Sequence, residues 1–390
     1  MTPAVHAPPL IRWTEAHVGR EARWRSESGS PPPPRVVIAD DRTTADAAYR
    51  LACEGTAMLW RGDFNNMRQL LLALGRRAEH KPRGAATATI SAAAPGTAFH
   101  LHRQAQSQRA RTLGMLLLPL DDDYRVPLRR APDMRQACEE AYGSAEGPSV
   151  VSLRELLGLV GAHEWRKKGV EVPAVGGRIH PHYGVFSPVR GEYVGLVAEA
   201  PLPAISLAFD IGTGTGVLAA VLARRGLARV VATDQDPRAL RCAGDNLGRL
   251  GLTAQVELMR ADLFPVGRAP LIVCNPPWIP ARPSSPIEHA LYDPESRMLR
   301  GFLGGLAAHL TPGGEGWLVL SDIAEHLGLR SRGELLAAFA AAKLHVVGRS
   351  EVRPQHPRAA DPGDPLHAAR AAEMTSLWRL AADVPGDGAG

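Results

Sequence analysis

The sequence predicts an α/β protein, a doubly wound and mostly parallel sheet in its C-terminal half preceded by a mainly helical α+β domain. Three observations carry that expectation. Strand-like apolar runs alternate with segments of helical composition from Ser206 onward, the rhythm of a parallel sheet covered on both faces. A glycine-rich turn, Gly212-Thr213-Gly214-Thr215-Gly216, joins the first of those strands to the first helix. Between Ala45 and Ala78 the apolar residues recur at helical spacing.

Bulk properties narrow the class. The chain has 390 residues, long enough for two domains that each bury a core. Hydrophobic residues make up 45% and charged residues 22%, an ordinary balance for a water-soluble globular protein. The apolar run Leu113–Leu120 falls well short of the roughly 20 residues that span a bilayer, so no membrane segment is expected. The first residues lack the basic and apolar blocks of a secretory signal. Cys53, Cys138, Cys242 and Cys274 are scattered without CxxC spacing. That predicts neither a metal site nor a disulfide framework and fits a reducing cytoplasm.

Net charge is +5. Residues 1–180 hold about 25 Lys/Arg against 19 Asp/Glu, and residues 181–390 about 20 against 21. The basic excess therefore lies in the N-terminal part, a bias that suits an anionic partner such as RNA or the ribosome and equally a merely soluble surface.

In chain order, residues 1–35 read as an N-terminal extension closed by the Pro31–Pro34 linker. Residues 36–175 read as a substrate-recognition domain. Thr43 is placed to cap a helix, and Gly62-Asp63 breaks the helical pattern that follows. Residues 85–120 carry no assignable pattern. Ser152, with Glu155 three residues later, reads as the cap of a short helix to Val160. The Gly/Pro-rich connector from Gly169 to Pro188 marks the boundary. From 176 to 383, strands are expected at Ser206–Ile211, Arg229–Thr233, Gln255–Arg260, Pro270–Cys274 and Gly316–Leu320, with helices at 215–226, 237–251, 295–310 and 334–343. His345–Val352 and Thr375–Leu380 read as a closing antiparallel pair. Residues 384–390 read as a disordered tail.

The turn after the first strand is the first chemical signal. Glycines there let the chain bend sharply and a ligand approach the backbone. The spacing is GxGxG, not the GxGxxG of dinucleotide sites. Asp210, just before it, suits a ligand with an ammonium group better than a pyrophosphate. Asp234 ends the second strand, 22 residues after Gly212, where a carboxylate accepts both hydroxyls of a ribose. Asp262 ends the third, within reach of an adenine amino group. The bland alternatives are that Asp234 or Asp236 caps the helix from Pro237, and that Asp262 is a turn residue. Taken together, three carboxylates at successive strand ends favour a positively charged nucleoside, and S-adenosyl-L-methionine carries both a sulfonium and an ammonium.

The second signal is Asn275-Pro276-Pro277-Trp278 at the end of a buried strand. Two prolines stiffen the backbone and hold Asn275 out of helical geometry. The Asn275 side-chain carbonyl and the Pro276 backbone carbonyl can each accept an N–H, and Trp278 offers a flat face. Such a pair of acceptors pins a planar nitrogen whose lone pair is otherwise delocalised. Against an already activated methyl donor, positioning and electrostatics supply most of the catalysis.

These residues resemble class I adenosylmethionine methyltransferases, and more narrowly their Asn-Pro-Pro-aromatic branch. That branch includes HemK/PrmC-type protein glutamine N5-methyltransferases and N6-adenine or N2-guanine methyltransferases. The resemblance spans roughly residues 180–382. It implies a seven-stranded sheet with a reversed last strand. It also implies that the glycine loop (Gly212, Thr213, Gly214, Gly216) and Asp210 hold the methionine portion, Asp234 the ribose, Asp262 the adenine, and Asn275 with the Pro276 carbonyl the target nitrogen. His182–Tyr193 is similar to the lead-in of HemK-type enzymes without their Pro-Arg-Pro-Glu-Thr-Glu wording, and Trp278 stands where they usually have Tyr. The leading expectation is methylation of a glutamine amide in a protein of the translation machinery. An exocyclic amine of an RNA or DNA base, flipped out to reach Asn275, is the alternative. A non-catalytic cofactor-binding interaction protein is the reading from another class.

Overall fold

The computed structural model describes residues 8–79, 94–189, 191–283, 288, 290–355 and 361–383. The chain divides into two compact units, residues 1–93 with 97–164, and residues 94–96 with 165–390. The division falls inside the helix Leu153–Lys168, earlier than the connector at which the sequence placed it. Ser152 does cap that helix, its Oγ accepting Glu155 N–H at 3.1 Å.

The N-terminal unit is organised on a six-stranded mixed sheet, which the helical spacing concealed. Its strands are β1 (Leu10–Glu15), β2 (Val18–Trp24), β3 (Arg35–Ala39), β4 (Thr56–Trp60), β5 (Leu116–Leu120) and β6 (Ser149–Ser152), in the order β1-β2-β6-β5-β4-β3. Residues 10–24, expected to belong to an extension, form an antiparallel hairpin at its edge. The turn there, Ala16-His17, has φ of 49° and 65°. Such left-handed pairs usually announce themselves by Asn-Gly or Asp-Gly, so this sequence carried no signal. β4 is buried at all five positions; a fully buried strand shows no alternation and cannot be told from a helix by periodicity. Thr44, not Thr43, caps the helix Ala45–Cys53, accepting Ala47 N–H. Ile11, Trp24, Ala57, Leu59, Leu117 and Val150 pack together as one core of this unit.

In the C-terminal unit a short antiparallel pair, β7 (Val170–Val172) and β8 (Gly177–Ile179), precedes the main sheet. That sheet contains β9 (Leu207–Ile211), β10 (Arg229–Asp234), β11 (Val256–Arg260), β12 (Ala269–Cys274), β13 (Leu310–Ser321), β14 (Leu344–Val352) and β15 (Thr375–Ala382). Their order is β11-β10-β9-β12-β13-β15-β14. The first five are parallel, and β15 is antiparallel to both neighbours. The expected seven strands, with the last one reversed, are therefore present. Along β12, Leu271 and Val273 belong to the core on one face and Ile272 and Cys274 to the core on the other. Burial on both faces is what makes these strands read as unbroken apolar runs.

The order reverses between β9 and β12, and both run parallel away from that line. Their carboxyl ends therefore open the crevice in which such sheets bind ligands. The expected tail, residues 384–390, lies outside the described residues. Among the described residues no helix is long and apolar enough to cross a membrane.

Candidate active site

A cavity of about 440 Å³ opens along the carboxyl ends of the strands in the C-terminal unit, a size ordinary for a small-molecule site. Its wall includes Asp210, Gly212, Thr213, Gly214, Asp234, Asp262, Asn275, Pro277 and Trp278. The turn after β9 and the end of β12 thus converge on one space. Gly216 and Pro276 are not among the lining residues.

The glycine turn is built from left-handed residues, with φ of 71° at Gly212, 55° at Gly214 and 79° at Gly216. L side chains rarely adopt this region. At Gly212 a Cβ would also run into the Met298 methyl group, and at Gly216 it would lie 3.1 Å from the Ala243 Cβ. Gly212 therefore opens the cavity wall. Gly216 instead lets the helix Val217–Arg224 pack against the helix Pro237–Leu250.

Asp210 is 1% exposed. Its Oδ2 accepts the Thr213 hydroxyl at 2.6 Å and Ala219 N–H at 3.1 Å. Burial, with the neighbouring Asp234 adding to it, pushes its pKa up to about 6. Asp234 is likewise raised, mainly by burial, although Oδ2 accepts Gly214 N–H at 3.0 Å and Oδ1 accepts Asp236 N–H at 2.9 Å. The buried Asp210 carboxylate, its charge disfavoured by burial and by the half-buried Asp234 beside it, makes a wall that a cationic guest relieves. Asp236 is the helix cap, its Oδ1 accepting Arg238 N–H at 2.8 Å. That resolves the choice the sequence left open and leaves Asp234 to face the cavity. Asp262 sits at a more exposed rim position and is ion-paired with Arg297 at 2.5 Å.

The Asn275-Trp278 pair departs from the sequence picture. The Trp278 indole N–H donates to Asn275 Oδ1 at 2.9 Å, and the ring packs against the cores on both faces of the sheet. Trp278 is thus partly committed as a packing and hydrogen-bonding residue. The chain after it returns through a bridge between Ile279 and Tyr292, and Asp293, 5% exposed, accepts Met298 and Leu299 N–H at 3.0 Å each. This clamp seats the helix Arg297–His309 and with it Met298 against the glycine turn.

Several wall residues escaped the sequence reading. Gly184, Val185 and Phe186 line the cavity; they lie in the His182–Tyr193 lead-in, so a signal existed. Met298, Arg370 and Glu373 carried none, because only the tertiary fold returns them to the strand ends. Tyr193, 2% exposed, also lines the space, and burial holds its hydroxyl well above the usual phenol range.

The fold and the cavity together define a nucleoside-cofactor domain with its polar groups at the switch point of an open α/β sheet. Residues 177–345 match the family model described as the methyltransferase small domain. The matched stretch lies within the C-terminal unit and includes the glycine turn, Asp234, Asp262 and Asn275. The chain is 36% identical over 159 residues to a release factor glutamine methyltransferase of Cereibacter sphaeroides, covering 40% of this chain and 54% of that protein. It is 35% identical over 145 residues to a ribosomal protein L11 methyltransferase of Pelotomaculum thermopropionicum, covering 37% and 39%. It is 27% identical over 176 residues to a tRNA1(Val) (adenine(37)-N6)-methyltransferase of Shewanella loihica, covering 42% and 70%. The chain spans about half the length of the first of these relatives.

Proposed function

We propose that the protein is an S-adenosylmethionine-dependent N-methyltransferase acting on a planar nitrogen, the side-chain amide of a glutamine in a protein of the translation machinery. The observation that carries this reading is the placement of the Asn275 amide on the same cavity as the glycine turn, Asp210 and Asp234. When bound, S-adenosylmethionine supplies a methyl group already activated by its sulfonium. The donor set fits that guest. Gly212 and Gly214 let it approach the backbone, and Asp210 and Asp234 balance positive charge in a setting where burial makes their own charge costly. Asp234 faces the ribose and Asp262 the adenine edge.

On the acceptor side, Asn275 Oδ1 has two lone pairs. One takes the Trp278 indole N–H, and the other accepts one N–H of the target nitrogen. Held in this way, the nitrogen lone pair points out of the plane of its two N–H bonds towards the donor. No base is needed before transfer; the proton leaves the methylated nitrogen afterwards.

The packing of Trp278 favours a small flat amide over a base that must stack on a free ring. An exocyclic base amine is the second reading, favoured by the similarity to a tRNA adenine methyltransferase. The deciding experiment is incubation of the protein with cell extract and methyl-labelled S-adenosylmethionine, followed by separation of protein from RNA. Label in protein, abolished by Asn275→Ala with cofactor affinity retained, is the expected result. Label confined to RNA rejects the glutamine reading, and transfer undiminished in Asn275→Ala rejects the assigned site.

A further inference from the structure

The carboxyl ends of β11, β10, β9, β12 and β13 follow one another across the sheet. They carry Asp262, Asp234, Asp210, Asn275 and Ser321 in that order. The first three belong to the cofactor side, and Asn275 marks the point of transfer. Whatever lies beyond it, towards β13 and β15, faces the acceptor.

Glu373 lies there. It stands two residues before β15, lines the cavity and is 3% exposed. Its Oε1 accepts the Ser321 hydroxyl at 2.6 Å. The Ser321 oxygen itself accepts Ile323 N–H at 3.0 Å, so the one hydroxyl hydrogen is committed to Glu373 and the carboxyl group is fixed in orientation. Arg370, on the preceding turn of chain, lines the same cavity and is ion-paired with Asp364 at 2.7 Å.

An ionised carboxylate only accepts hydrogen bonds, and a guanidinium only donates them. A wall made of the two selects a guest that offers an N–H beside a carbonyl, and the carboxylate disfavours a phosphate at that end. An N–H beside a carbonyl is what a peptide main chain presents. We propose that Glu373, oriented by Ser321 and flanked by Arg370, binds the main-chain N–H of the acceptor polypeptide next to the amide held by Asn275. The proposal rests on the glutamine reading above for its substrate class, but its test does not require methyl transfer.

The probe is N-acetyl-glutamine N-methylamide, a glutamine with both flanking peptide groups. Its binding to the protein saturated with S-adenosylhomocysteine is followed by ligand-observed nuclear magnetic resonance. Glu373→Gln keeps a carbonyl oxygen for Ser321 while replacing the second acceptor by a donor. We expect it to weaken the probe about tenfold or more, as for a lost charge-assisted hydrogen bond, with the S-adenosylhomocysteine dissociation constant unchanged. Ser321→Ala, which alters orientation and not charge, is expected to weaken the probe by roughly threefold. Equal probe binding by wild type and both variants, or binding by none of them, overturns the proposal. So does a Glu373 dependence seen with adenosine or guanosine and not with the blocked glutamine, which assigns the acceptor end to a base. Glu373-dependent probe binding by a wild type that labels nothing in extract counts against methyl transfer alone.

Discussion

The Trp278 indole N–H donates to the Asn275 side-chain carbonyl at 2.9 Å, three residues away in the same motif. This bond fixes which end of the amide is the acceptor. A flipped amide would set N–H against N–H, both towards Trp278 and towards the target nitrogen. An aromatic residue at this position therefore has a second role besides presenting a ring. Trp278→Phe keeps the ring and removes the donor. The expected outcome is a fall in kcat of roughly threefold to tenfold, the worth of one neutral hydrogen bond. Steady-state kinetics beside calorimetric cofactor titration would check this, with cofactor affinity expected to hold; a kcat equal to wild type would refute the orienting role.

With Asp210 holding the cofactor's positive charge, as proposed, cofactor binding is expected to be proton-linked. Its pKa in the free protein is about 6, whereas a positively charged guest requires the ionised form. Binding below that value must therefore release a proton, and affinity should climb as pH rises towards 6 and level off above it. Titration calorimetry at pH 5.5 in two buffers of different ionisation enthalpy should report net proton release that fades by pH 8. Proton uptake at pH 5.5 would contradict the assignment. For the free protein the sign is opposite. The folded pKa lies above the unfolded value of about 3.9, so Asp210 favours folding most below that value, and the contribution is lost as pH rises through about 6.

Asp210→Asn separates folding from binding. The Asn oxygen can take both the Thr213 hydroxyl and Ala219 N–H now held by Oδ2, and a buried charge is removed. At pH 7.5 the free variant should melt at or above the wild-type temperature, yet bind S-adenosylmethionine about tenfold or more weakly. Thermal melts with and without cofactor would show it; an unchanged cofactor-induced shift would argue that Asp210 only caps the helix.

Gly212→Ala forces an L side chain to φ 71° and into the Met298 methyl group. The expected cost is about 1–2 kcal/mol from backbone conformation alone, with weaker cofactor binding because the turn must shift. Adding Met298→Ala should relieve the collision without restoring the backbone term. Denaturant melts of the single and double variants would separate the two, and a fully stable single variant would mean the turn is not held as described.

The C-terminal half was legible because its local signals agree. Strand runs buried on both faces are continuous and apolar, Asp236 and Ser331 cap the helices Pro237–Leu250 and Arg332–Ala341, and Asp210, Asp234, Asp262 and Asn275 stand at strand ends. Since parallel strands all send their carboxyl ends to one edge, sequence position alone places these four on a common rim, and they do line one cavity. The N-terminal sheet was not legible for the opposite reason. β4 (Thr-Ala-Met-Leu-Trp) and β5 (Leu-Leu-Leu-Pro-Leu) are short, mostly buried strands without polar alternation, and the Ala16-His17 turn adopts left-handed angles without glycine or asparagine.

What the sequence by itself determined was the chemistry at the ends of the strands, since those residues are ordered by the chain and displayed by the sheet. What only the tertiary structure decided was how that rim is closed. Met298 arrives on a helix clamped by Asp293, Glu373 arrives because β15 runs back between β13 and β14, and Trp278 turns its N–H onto Asn275. None of these meetings is encoded in local spacing. Each depends on a packing partner many residues away or on a rotamer set by the surrounding core, and such choices are made only when the whole domain closes.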